Sequence, residues 1–257
     1  MGAVGNLDEL LRSPRVAPKA VAAVLPDMAA TLPSLRTDVD AARTVLSTRF
    51  DASATALLCD FILSGVDSVA SEISGATGQQ RSLTAGTRLA LERSVEKLQQ
   101  RLQGALPLWG LLVELWPQPS LPVDVHELLV LLRKGDQGHG LRGQAIPVGL
   151  DSGVVPAWLD CSPPAALTLI AVAASSLGHA TSSQGLCMSV GNEQGHATLA
   201  VAARIPESPL FELVVPPYVA PTDRCLDAAA QAIGVEVQRE PTRIVLSWTA
   251  APPPSGL

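Results

Sequence analysis

Asp60, Ser64, Asp67 and Ser71 recur at spacings of four, three and four along the 257-residue chain. On a helix such spacings form one line of small polar side chains. Such a line can dock a protein, and a carboxylate within it can in principle accept a phosphoryl group. An exposed aspartate with no metal ligands beside it lacks what activates a carboxylate for phosphoryl transfer. Asp60 is therefore read either as an acid on a solvated helix face or as part of a docking surface, with acyl-phosphate chemistry the weakest option.

The other reactive side chains do not assemble into a motif. His126, His139, His179 and His196 show no His-x-x-x-His spacing, and Cys59, Cys161, Cys187 and Cys225 show no Cys-x-x-Cys spacing, so no metal site is expected. Cys59 lies beside an apolar stripe with no evident base, which gives a thiol no route to activation. Ser64 and Ser68 lack the Gly-x-Ser-x-Gly turn of a nucleophile elbow. The stretch Gly135 to Gly143 is glycine-rich, but no Lys-Ser or Lys-Thr follows its Gly138-His139-Gly140, so it reads as a surface loop. No catalytic residue, metal or cofactor is assigned.

Hydrophobic residues make up 47% of the chain, enough for a sizeable core. Net charge is −6, and no run of Lys or Arg forms a phosphate-tracking surface. Only eight aromatic residues occur, too few for base-stacking platforms, so nucleic acid is not expected as a partner. The scattered cysteines are expected to be reduced and the protein cytoplasmic. The first ten residues lack the basic and apolar regions of a secretory signal. The longest apolar run, Ala165 to Leu177, reads as too short to span a bilayer, so no membrane association is expected.

The polar line belongs to a helix. Leu58, Ile62, Val66, Val69 and Ile73, widened by Leu57 and Phe61, form a broad apolar stripe on another face of the same stretch. A turn is expected at Gly75 to Gln80, followed by a second helix from about Leu83 to Gln103 with Leu91, Val95, Leu98 and Leu102 in register. Residues 1–50 read as shorter helices broken or started by Pro14, Pro18, Pro26 and Pro33. Either those helices cover the hairpin's apolar faces, or two copies pair into a four-helix bundle. Gly104, Pro107 and Gly110 are expected to end the second helix, leaving Leu106 to Trp116 as a connector.

Beyond it the pattern is mixed. Asp124 is placed to cap a helix from Val123, and extended segments fall near Ile146 to Leu150 and Val155 to Leu159. Ser162-Pro163-Pro164 opens a strongly apolar helix. Alternation of Leu186, Met188 and Val190 with Leu199, Val201 and Ala203 about Gly191 to Gly195 predicts a β-hairpin. Thr222 or Asp223 should cap a helix ended by Gly234, before a last hairpin about Glu240-Pro241-Thr242. The tail from Pro252 reads as disordered. The expected domains are residues 1–50, a helical extension; 51–116, a helical hairpin; 117–251, an α/β domain; and 252–257, the tail.

Leu58-Cys59-Asp60-Phe61-Ile62-Leu63-Ser64-Gly65-Val66 resembles the phosphoacceptor helix of bacterial histidine phosphotransferases, whose pattern is Leu-Cys-His-Asp-Leu-Ile-Ser-Pro-Val. The element order is similar to that of a sensor histidine kinase core. Ala171 to Val190 looks like its nucleotide-binding helix and next strand, and Ala228 to Ala250 like its last helix and hairpin. The resemblance implies an α+β chain: a helical hairpin forming a dimeric four-helix bundle, then an α/β sandwich similar to the kinase ATP-binding domain.

Departures from the pattern bear on function. The acceptor histidine falls on Asp60, its acidic neighbour on Phe61 and the later proline on Gly65, and no histidine precedes His126. The magnesium-holding asparagines fall on Ala173 and Leu177, which offer no side-chain oxygen. Where the family's Asp-x-Gly-x-Gly motif belongs stands Arg204-Ile205-Pro206-Glu207-Ser208, and no glycine occurs between Gly195 and Gly234. The segment from Ile205 to Pro221 is too lean for a glycine-rich nucleotide lid.

The resemblance therefore implies a non-catalytic dimeric adaptor that keeps the kinase-like shape to bind a protein, such as a receiver domain, through Asp60, Ser64, Asp67 and Ser71. The alternatives are a divergent ATPase or phosphotransferase, and a purely structural interaction protein. Receivers carry an acidic phosphorylation pocket, which an aspartate would repel unless a basic group or metal intervened.

Overall fold

The computed structural model describes residues 18–48, 50, 52–78, 84–114, 121–134, 144–151, 157–181, 184–193 and 196–251. Packing divides the chain into two compact units, Met1–Ala105 and Leu106–Leu257. The expectations for Pro14, for the loop Gly135 to Gly143 and for the tail from Pro252 lie outside the described residues.

The helical unit begins with α1, Pro18–Ser47. Pro18 starts it as expected, but Pro26 and Pro33 do not divide it; both lie inside one helix of 30 residues. An internal proline costs roughly 3 kcal/mol in a helix. Here both rings are exposed, while Leu25, Met28, Leu32, Val39 and Leu46 form a buried row that runs past them. Packing of one face outweighs local propensity.

The next helix, α2, spans Ala52–Gly78 and carries its stripe where the periodicity placed it: Leu58, Ile62, Val66, Val69 and Ile73 are all buried. It continues through Gly75, where a turn was expected. Thr84 then caps α3, Ala85–Glu114, its Oγ1 accepting the N–H of Thr87 at 3.2 Å. The expected break at Gly104, Pro107 and Gly110 is absent and the helix runs to Glu114. The physical reason is again burial: Leu91, Val95, Leu98 and Ala105 are buried in the first unit, and Leu108, Leu111 and Leu112 in the second.

In the second unit β1, Leu121–Asp124, pairs antiparallel with β3, Trp158–Cys161. Asp124 caps α4, Val125–Lys134, its Oδ1 accepting the His126 N–H at 2.9 Å; the residues before it are strand rather than helix. The main sheet contains β2, Gln144–Leu150; β4, Leu186–Glu193; β5, His196–Ala203; β6, Phe211–Val215; β7, Glu236–Glu240; and β8, Arg243–Thr249. Their spatial order is β6-β2-β4-β5-β8-β7, antiparallel except for β2 with β4.

Register sorts the residues of the sheet onto its two faces. Met188, Val201 and Ile244 are neighbours across β4, β5 and β8, as are Val190, Leu199 and Leu246, and these rows are buried. The alternate row through Ser189, Ala200 and Val245 is less enclosed: Ala200 is buried and the other two are half-buried. The apolar rows face α5, Pro163–Thr181, against which α4 and α6, Thr222–Ala232, also pack. All thirteen residues from Ala165 to Leu177 are buried. At 19 residues α5 is long and apolar enough to cross a membrane by length and composition, as is Ala52–Ala76 in α2. This corrects the expectation of a run too short to span. With 72% of its apolar window buried, α5 nevertheless has the surroundings of a core helix.

Gly234, at φ 70°, closes α6 as expected, and Val235 donates to the Ala230 carbonyl at 2.8 Å. The expected side-chain cap is absent: Pro221 stands at the cap, Thr222 Oγ1 accepts from the Val219 N–H at 3.0 Å, and Asp223 is engaged elsewhere.

Candidate functional site

The α2 line is exposed at all four positions: Asp60, Ser64, Asp67 and Ser71. The helix therefore does bring the four side chains to one face, but three of them are already engaged by arginines from the neighbouring helices. Arg43 of α1 pairs with Asp60. Two helical turns away, Arg36 of α1 pairs with Asp67 at 2.6 Å. From the other side Arg101 of α3 donates to Ser64 Oγ and, at 2.8 Å, to the Phe61 carbonyl, with its guanidinium carbon 4.9 Å from the Phe61 ring centre. The face is a mixed surface of three arginines and two aspartates, with Ser71 one turn beyond.

These arginines were not assigned from sequence, although a signal was present. Arg36 and Arg43 are seven residues apart, as are Asp60 and Asp67, and two antiparallel helices bring such pairs together in crossed order. Arg43 also adjoins Cys59, whose Sγ lies 3.9 Å from the Val39 carbonyl. Burial pushes the Cys59 thiol up and Arg43 only partly offsets it, the reverse of an activated cysteine. Hydrogen bonding to Asp60 in turn holds Arg43 above its ordinary value.

Gly65 shows why the helix pair is close at this level. A Cβ there would stand 3.0 Å from Leu98 Cδ1 and 3.1 Å from Arg101 Cδ, so glycine leaves room where α3 packs on α2. Next to it Ser68 and Ser94 are joined across the same interface at 3.3 Å.

On α5 the surroundings are apolar. Ala173 and Leu177 are buried in the core, and no side-chain oxygen stands at either position. The neighbouring serines are committed internally: Ser175 donates to the Pro216 carbonyl at 2.6 Å and Ser176 to Asp223. Asp223 also receives the Tyr218 hydroxyl at 2.9 Å, and the Tyr218 ring stacks on His179 at 3.9 Å between centres. This cluster ties α5 to the segment before α6 and to the first turn of α6. It does not place a histidine between serine and aspartate, so it builds no nucleophile.

The segment read as too lean for a lid contains a strand that the sequence reading missed. From β5 the chain crosses to the far edge of the sheet, where β6 pairs with β2. On the way Pro206 fits a notch of two glycines: a Cβ on Gly149 or Gly185 would come within 2.6 Å of its ring. Arg204 pairs with Asp151 at the start of this crossing, and Leu210 donates to the Val148 carbonyl at 2.8 Å near its end.

All four cysteines are buried and none is bonded to another. Burial beside Asp160 pushes Cys161 up to about 12. Among the described residues, which exclude His139, no three His, Cys, Asp or Glu side chains are close enough to hold a metal ion.

No protein-family model matches the sequence, and none of the curated proteins is significantly similar to it. Solved structures do align. A histidine kinase of Acinetobacter baumannii, AdeS, is 14% identical over 72% of this chain and 94% of its own, with a TM-score of 0.39. A histidine kinase from Burkholderia phymatum is 14% identical over 77% and 96%, with a TM-score of 0.34. A bacterial phosphotransferase is 12% identical over 78% and 97%, with a TM-score of 0.31. Alignment at this level assigns no residue of the chain a functional role.

Proposed function

We propose that this chain is a non-catalytic adaptor of phosphorelay signalling that docks a receiver-type protein on the α2 face of Asp60, Ser64, Asp67 and Ser71. The observation that carries the reading is the pairing of Asp60 with Arg43 on an exposed helix face. An aspartate in the acceptor position would repel a receiver's acidic pocket on its own; a guanidinium beside it removes that objection. Arg36 and Arg101 extend the compensation along the face.

Loss of the chemistry fits the same reading. No histidine lies on α2 or α3, and the buried Ala173 and Leu177 leave a magnesium ion without the oxygens it requires. Pairing of two copies through α2 and α3 belongs to this proposal too. Most of both stripes is buried within one chain, while Leu57 is exposed and Phe61 and Leu102 are half-buried.

Two experiments test the reading. Incubation with radiolabelled ATP, and separately with a phosphorylated receiver, should leave the chain unlabelled; stable label on it would make it a phosphotransferase. Replacing Asp60 by Lys should leave binding of an acidic receiver intact or tighter. A loss of binding much larger for Asp60→Lys than for Asp60→Ala would instead identify a partner with a basic patch.

A further inference from the structure

We draw no further inference here: the strongest candidate, the surface loop from Arg204 to Leu210 on which Ile205 and Leu210 stand exposed while Pro206 is seated against Gly149 and Gly185, carries nothing, because nothing in the structure shows what covers it.

Discussion

The α2 face and the stretch of α5 from Ala165 to Leu177 are both helical and have opposite surroundings. Along α2 the polar side chains point to water and meet arginines from two neighbouring helices. Along α5 every residue from Ala165 to Leu177 is buried, and its serines turn to partners inside the fold. A surface that retains exposed charges can still recognise a partner. A helix enclosed on all sides holds a sheet in place and offers a ligand nothing. The docking proposal is accordingly attached to the α2 face.

The largest effect should follow from placing an amide in the buried face of α5. Leu177→Asn removes a buried apolar side chain and inserts an amide without a partner, and should cost about 3–5 kcal/mol in urea unfolding of the second unit. Titration calorimetry of the parent with ATP and magnesium should show no saturable heat; micromolar binding would contradict the reading of α5 as purely structural.

Asp223→Ala should be milder, about 1–3 kcal/mol, because it strands the hydroxyls of Ser176 and Tyr218. The same network has a pH signature. Burial first, then the Asp223 carboxylate, raises the Tyr218 phenol above its ordinary value of 10. A folded value above the unfolded one means that this stabilisation is complete below pH 10 and is lost as pH rises through the folded value. Tyr218 is the chain's single tyrosine, so absorbance titration reads it directly. The native midpoint should exceed that in urea, and Asp223→Asn should lower it; coincident midpoints would mean that the network does not form.

On α2 single changes should matter least to stability. Asp67→Asn should cost less than about 1 kcal/mol, and less still at high salt, since the pair it breaks is exposed. A loss of several kcal/mol would show that the ion pairs, rather than the apolar row, hold α1.

Much of this contrast was legible in the sequence where periodicity and local signals agree. Ser162-Pro163 starts α5, the alternation in β4 and β5 gives a hairpin, and Gly234 ends α6 with its positive φ. Prolines misled the reading, because Pro26, Pro33 and Pro107 break helices only when no continuous buried row outweighs them. Strand β6 was missed because its five residues sit between prolines, and its partner β2 lies more than sixty residues earlier. The exposed stripe on α2 was read from spacing alone. Its arginine partners were not, since they belong to other helices and only tertiary packing brings them in.

Calorimetric titration of purified receiver domains into the full-length chain, its Asp60→Ala variant and its Arg101→Glu variant tests the docking reading most directly. The account predicts saturable binding of at least one receiver by the parent, equal or tighter binding by Asp60→Ala, and at least about tenfold weaker binding, or about 1.4 kcal/mol, by Arg101→Glu. If no receiver binds, or if both variants bind as the parent does while remaining folded, the α2 line is a solvated helix face and the docking reading is wrong.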